Sequence, residues 1–239
     1  MDFMLAREWT GAKDPAGWFM SEKFDGWRCG WDGQRLITRE GVPLNPPDWF
    51  TAELPDVPLD AEIWGGYGSF QALGRILRAP VAPDRDWRRL SLQILDVHNG
   101  NDFFKDTYPA LCALPVGHTA RVVEQQLCTS QSHLDAFLAQ VTARGGEGVV
   151  LRHPYSVYEG WLSAGMRKLK PVMDSEGTVI GYKEGRQSLL LRLKSGVEFY
   201  LRAAFSPLGT EVTFRHLGFF ESGKPREPRF LRVRPSLAA

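Results

Sequence analysis

The segment pattern of this chain changes once, at Pro171, and that change limits its architecture more than any other feature. Upstream, strand-like and helix-like periodicities are mixed; downstream, short apolar runs alternate with turn residues and no helical period survives. In the first part Trp18 to Lys23 and Trp27 to Trp31 read as strands, and Asp32-Gly33 turns the second into a third over Arg35 to Thr38. Ser69 stands where it can cap a helix over Phe70 to Ala79, in which Phe70, Leu73, Ile76 and Leu77 share a face. Leu90 to Leu95 reads as a buried strand. The clearest helix starts after Ser130: Leu134, Phe137, Leu138 and Val141 recur on one face, and Gly145-Gly146 ends it. Gly148 to Arg152 and Met166 to Lys170 return to strand.

Downstream, Thr178 to Lys183, Ser188 to Leu193, Glu198 to Arg202, Thr210 to His216 and Pro228 to Val233 are strand candidates. Such a series suits a small β-barrel of the OB type, whose surface commonly binds oligonucleotides, and an SH3-like barrel fits the count nearly as well. The expected fold class is α+β, with residues 1–173 forming a domain of antiparallel sheets and helices and residues 174–239 a barrel. A chain of 239 residues is long enough for a medium domain plus a small one.

Net charge is +1, which by itself points to no polyanionic partner, but the distribution is uneven. Up to Met173 there are 18 Lys and Arg against 21 Asp and Glu; from Asp174 onward there are 11 against 7. Lys224, Arg226, Arg229, Arg232 and Arg234 crowd the end, where a solvated tail is the plain alternative to a nucleic-acid surface. A hydrophobic share of 43% excludes a disordered chain. No apolar run approaches the roughly 20 residues of a membrane span, and no basic-then-apolar leader opens the sequence, so a cytosolic protein is expected. Cys29, Cys112 and Cys128 form no CxxC and cannot all pair, which suits a reducing compartment.

Chemistry concentrates in Ser21-Glu22-Lys23-Phe24-Asp25-Gly26-Trp27-Arg28, where a lysine stands between carboxylates at a strand-to-strand junction. This is either a surface hairpin or a nucleophile. An amine, with a reference pKa of about 10.4, attacks phosphorus only when its surroundings favour the neutral form, so cations are expected near Lys23. Lys168-Leu169-Lys170 offers two on one strand face, although paired lysines also serve to guard an edge strand. Asp60-Ala61-Glu62 puts two carboxylates on one face, and Glu147 follows Gly145-Gly146. Mg²⁺ bridged to nucleotide phosphates uses only one or two carboxylates, so either site is sufficient.

Five segments in order, Glu22 to Arg28, Thr38-Arg39-Glu40-Gly41, Leu59 to Glu62, Gly146 to Val150 and Lys168 to Pro171, resemble motifs I, Ia, III, IV and V of the covalent nucleotidyltransferases. The Thr-Arg-x-Gly segment, the Trp49-Phe50 region and the ending from Gly223 to Arg234 look like the smallest bacterial and viral ATP-dependent DNA ligases. The resemblance covers almost the whole chain. It implies a nucleotidyltransferase (adenylation) domain followed by an OB-fold, joining 5′-phosphate to 3′-hydroxyl at nicks through a lysyl-AMP.

Position by position, the resemblance assigns Lys23 to the covalent AMP, Arg28 to the ribose and phosphate region and Arg39 to the nick 5′-phosphate. Glu22 and Leu95 would border the nucleotide, Glu62 would contact the ribose, and Glu147, with Glu62, would serve the metal. Lys168 and Lys170 would meet the α-phosphate, and Asp25 has either a catalytic or a turn role. Lys224, Arg226, Arg232 and Arg234 would belong to a region that closes over ATP during lysine adenylation and later holds DNA. ATP, Mg²⁺ (or Mn²⁺) and nicked double-stranded DNA are the implied co-substrate, metal and partner, for a monomer with no membrane attachment. An RNA ligase, a capping-type enzyme and a noncatalytic nucleic-acid-binding relative are the competing readings. Two departures stand out. Leu95 precedes Asp96 where an aromatic usually covers adenine, so stacking geometry is lost. Glu227 stands where relatives often carry an aromatic.

Overall fold

The structure of the protein, a computed structural model, describes residues 1–79, 82–98, 100–183, 187–220 and 222–234. It divides the chain into two compact units, Met1–Leu169 and Lys170–Ala239, a break just ahead of the boundary expected after Met173. The first unit contains, in order, β1 (Leu5–Glu8), β2 (Phe19–Lys23), β3 (Trp27–Trp31), β4 (Leu36–Thr38), α1 (Asp48–Thr51), β5 (Leu59–Trp64), α2 (Phe70–Arg78), α3 (Asp84–Trp87), β6 (Ser91–Val97), α4 (Phe104–Cys112), β7 (Ala120–Val122), β8 (Gln126–Leu127), α5 (Gln131–Ala143), β9 (Gly148–Arg152) and β10 (Leu162–Leu169). Its strands form two sheets, ordered β1-β10-β9-β2-β8 and β4-β3-β5-β6-β7.

Both sheets are mixed rather than wholly antiparallel as expected, because β1 pairs with β10 and β6 with β7 in parallel. Parallel neighbours need a long connection between them, and both pairs have one: β6 reaches β7 through α4, and β1 meets β10 only after most of the unit. Alternation then gives each sheet one apolar and one polar face. In the second sheet Cys29, Trp31, Ala61, Ile63 and Ile94 enter a core with Phe50, Leu73 and Trp87. Arg28, Glu62, Asp60 and Asp96 take the opposite face. In the first sheet Met20, Val149 and Leu151 pack on Leu134, Phe137 and Val141 of α5, which leaves Ser21, Lys23, Val150 and Lys168 on the other side. Each fully buried large apolar side chain contributes about 1.5–3 kcal/mol to holding these layers.

The helices begin in three different ways. Ser130 caps α5 as expected, its hydroxyl accepting from His133 N at 3.1 Å. Ser69 precedes α2 but donates to Gly66 O at 2.7 Å and makes no side-chain cap, so the expected capping role is not taken up. The first turn of α4 is satisfied from a distance: Phe104 N and Lys105 N donate to Ser156 O and Pro154 O, at 2.9 and 3.0 Å, in the connection between β9 and β10. That helix has no local cap, and its sequence gives no start signal.

The second unit is built from β11 (Met173–Tyr182), β12 (Ser188–Arg192), β13 (Glu198–Arg202), β14 (Glu211–His216) and β15 (Arg229–Val233), ordered β13-β12-β11-β14-β15 and antiparallel throughout. The long β11 pairs with β14 along Met173–Thr178 and with β12 from Thr178 onward, with a register shift between Val179 and Gly181. The two edge strands β13 and β15 approach each other, curling the sheet around Val179, Leu189, Leu191, Phe199, Leu201, Val212 and Phe214. A five-stranded barrel whose first strand is shared by two halves is the OB type and not the SH3-like one.

Candidate active site

The polar faces of the two sheets in the first unit border one cleft of about 640 Å³, a size suited to a nucleotide. Lys23, the last residue of β2, lines it, and its Nζ forms an ion pair with Glu147 Oε2 at 2.5 Å. The Gly145-Gly146 pair brings Glu147 to Lys23, although Glu147 itself is not among the residues that line the cleft. Gly145 adopts φ +91° to end α5, and a Cβ on Gly146 would come within 2.5 Å of Val141 and 3.0 Å of Glu22 Oε1. Lys23 thus pairs with a carboxylate, because the turn after α5 delivers Glu147 to the end of β2. Lys168 also lines the cleft, with its Nζ 3.1 Å from Glu8 Oε1. Lys170 does not share its strand: β10 ends at Leu169, and Lys170 opens the second unit, where it lies 3.6 Å from Glu227 Oε1.

Glu22 follows the alternation of β2 away from Lys23, its carboxylate reaching Arg144 Nη2 at 3.4 Å. Asp25 sits in the turn between β2 and β3; among the described residues Phe24 and Gly26 line the cleft on either side of it, and Asp25 does not. Gly26 N donates to Glu62 Oε1 at 2.7 Å. Arg28 is opposite Glu62 in register and makes a bidentate pair with Asp60, both contacts 2.5 Å. Asp60, read from sequence as a possible metal ligand beside Glu62, is therefore committed to Arg28. Burial works against the Arg28 charge, but Asp60 and Glu62 outweigh it and hold the guanidinium above its usual range. Burial also pushes the Glu62 carboxyl upward, with Lys23 and Arg28 pulling the other way.

Leu95 borders the cleft from a β-bulge: Asp60 pairs with Asp96 and Ala61 with Ile94, so Leu95 is the extra residue and is turned toward the opening. Next to it Asp96 meets Arg152 at 3.1 Å, and burial raises the Asp96 carboxyl to about 6 in spite of that partner. Arg39 is exposed and also lines the cleft, on a turn closed by Gly41 N to Thr38 O and Val42 N to Thr38 Oγ1, with Gly41 at φ +82°. Sequence reasoning missed Arg152, Phe104 and the Met4–Ala6 segment as cleft walls. They carry no motif, and only long-range pairing puts them there. In the barrel Lys224 is exposed, Arg226 stands 5.7 Å over the Phe220 ring, and Arg232 lines a shallow depression with Lys194 and Thr213. Arg234 is paired with Glu176 at 2.6 Å and Glu211 at 3.3 Å.

A lysine lining a nucleotide-sized cleft between two sheets, in a chain that continues into an OB barrel, is the arrangement that the resemblance to covalent nucleotidyltransferases implies. No family model matches the chain. A DNA ligase of Haemophilus influenzae is 31% identical over 233 residues, 90% of this chain and 86% of that protein. A Lig E DNA ligase, described as binding DNA with a minimal scaffold, superposes with a TM-score of 0.87 at 31% identity over 98% of this chain and 99% of its own. The chlorella virus DNA ligase-adenylate shares the fold at a TM-score of 0.59 and 18% identity, over 100% of this chain and 99% of its own. The chain belongs to the ATP-dependent DNA ligases.

Among the described residues no three His, Cys, Asp or Glu side chains gather as a metal cage. Glu62 lines the cleft and Glu147 reaches it through Lys23 Nζ; each carboxylate already accepts a bond, and their oxygens are hard donors that fit a cation completed by phosphate oxygens and water. No helix among the described residues is long and apolar enough to cross a membrane.

Proposed function

We propose that this ligase seals nicks in duplex DNA with Lys23 as its nucleophile, working as a monomer in the cytosol, with residues 1–173 carrying the chemistry and 174–239 the OB domain. The observation that supports this most is the placement of Lys23 Nζ on Glu147, in the same cleft as Arg28 and Lys168. An ammonium has no lone pair, so the pair must open, or its proton pass to Glu147, before Nζ attacks the α-phosphorus of ATP. The P–N bond then forms as the bond to pyrophosphate breaks. Next, AMP moves to the 5′-phosphate of the nick, oriented by Arg39, and the 3′-hydroxyl displaces it to close the backbone. Arg28 and Lys168, with Lys170, oppose the charge on the phosphate oxygens, the main form of catalysis in phosphoryl transfer. Glu62 holds the ribose, Glu22 borders the base through its backbone, Leu95 covers it, and Asp25 shapes the turn that presents Lys23. Glu147 and Glu62 would hold Mg²⁺ or Mn²⁺, which supplies positive charge to the phosphates when bound. Lys224, Arg226, Arg232 and Arg234 contact phosphates from the barrel.

Intact-mass measurement after incubation with ATP and Mg²⁺ tests this. Wild type should gain one AMP, and Lys23→Ala should gain none and fail on ordinary nicks while still joining pre-adenylated ones in part. Joining of ordinary nicks by Lys23→Ala with ATP would overturn the mechanism.

A further inference from the structure

We infer that Tyr158 is a positioning residue for Arg28, acting through Asp60 and the backbone of Met4; the inference rests on the role given to Arg28 above. Four groups close a ring. Met4 N–H donates to Tyr158 Oη at 3.3 Å, and the Tyr158 hydroxyl donates to Asp60 Oδ2 at 2.8 Å, the shorter of its two acceptor contacts, Asp2 O lying at 3.4 Å. Asp60 takes Arg28 Nε and Nη2, and Arg28 Nη2 donates in turn to Met4 O at 3.4 Å. Asp60 is only 1% exposed, so water does not replace a lost partner, and the direction of the carboxylate is set by what bonds to it. Tyr158 and Arg28 Nη2 share Oδ2, so the hydroxyl helps set the direction of the carboxylate on which the guanidinium is held. Burial and the Asp60 charge push the Tyr158 hydroxyl far above its ordinary range, so it remains a donor at any working pH.

Tyr158 is itself held from both sides of the cleft. It lies in the connection between β9 and β10 of the first sheet, and that connection is pinned to α4 by the carbonyls of Pro154 and Ser156. α4 follows β6 of the second sheet, and the Tyr158 ring packs on His98 just beyond β6, with centroids 5.1 Å apart. The ring of bonds therefore registers one wall of the cleft against the other, with Arg28 at the point where they meet. A tyrosine that merely fills space would need none of these bonds.

The test is a double-mutant cycle on the full chain, timing self-adenylation across ATP concentrations for wild type, Tyr158→Phe, Arg28→Lys and the double variant, with the thermal midpoint of each as a folding check. Tyr158→Phe should fold as wild type does and lose about three- to tenfold in adenylation rate over KM, the range of one buried hydrogen bond. In the Arg28→Lys background, where the bidentate pair no longer exists, the same change should cost less than about twofold. Equal losses in both backgrounds would mean a role independent of Arg28 and overturn the inference. So would an unimpaired Tyr158→Phe beside an active wild type. A wild-type chain that takes up no AMP would overturn the ligase reading, and this inference with it.

Discussion

In the cleft, Arg28 meets Asp60 with 23% of one side chain and 1% of the other exposed; in the barrel, Arg215 meets Asp174 with 51% and 48% exposed. The two pairs have the same chemistry and different weights. At the barrel surface, solvent screens each ion pair to between nothing and about 1 kcal/mol, and side-chain entropy offsets much of that. In the cleft, either partner left alone is a buried charge without compensation, so the pair holds the site's geometry more than it adds net stability. The cleft therefore depends on individual bonds, whereas an exposed pair such as Arg215–Asp174 carries little weight by itself.

The comparison breaks most visibly at its strongest member. Asp60→Asn should lower unfolding free energy by about 3 kcal/mol in urea titration, while Asp174→Asn should stay within about 0.5 kcal/mol of wild type. Comparable losses in the two would show that burial does not set the weight of these pairs. A middle-sized effect is expected from Arg232→Ala combined with Arg234→Ala. Self-adenylation should fall about tenfold, and sealing of pre-adenylated nicks by less, since pyrophosphate departs only in the first step. Equal falls in both steps would make the tail a DNA-gripping patch, and no fall in either would make it a solvated surface, a result the pairing of Arg234 with Glu176 and Glu211 would help explain. The smallest effect belongs to Leu95→Phe. A ring on the bulge should tighten ATP binding by about 1 kcal/mol if it stacks on the base, and isothermal titration showing weaker binding would mean that another group already fills that space.

Much of the catalytic unit was legible wherever local pattern and final environment agree. Trp27–Trp31 and Gly148–Arg152 are strands with the expected bounds, and Ser130 starts α5 as its sequence indicates. The positions of Lys23, Arg28, Glu62 and Lys168 around one cleft follow from motif order plus alternation. What the sequence did not reveal depends on distant partners. The start of α4 is capped by carbonyls some fifty residues away in the chain, β1 and β7 are placed by parallel pairing, and Asp60 reads as a free carboxylate until Arg28 and Tyr158 are beside it. Lys168 and Lys170 were expected on one strand face, but β10 stops between them.

The pairing of β1 with β10 also orders events in time. Among the described residues Leu5 has no strand partner until Leu162 exists, and the Met4–Tyr158 bond spans 154 residues. Contacts of such separation form late, since closing a long loop costs entropy before any bond rewards it. On the ribosome, the amino-terminal strand must wait as an unsatisfied edge while the two sheets assemble behind it. A nascent chain that already carries Lys23, Arg28 and Glu62 but has not yet produced β10 therefore has these side chains without the wall that encloses them, and that enclosure should arrive abruptly with the last strand of the first unit.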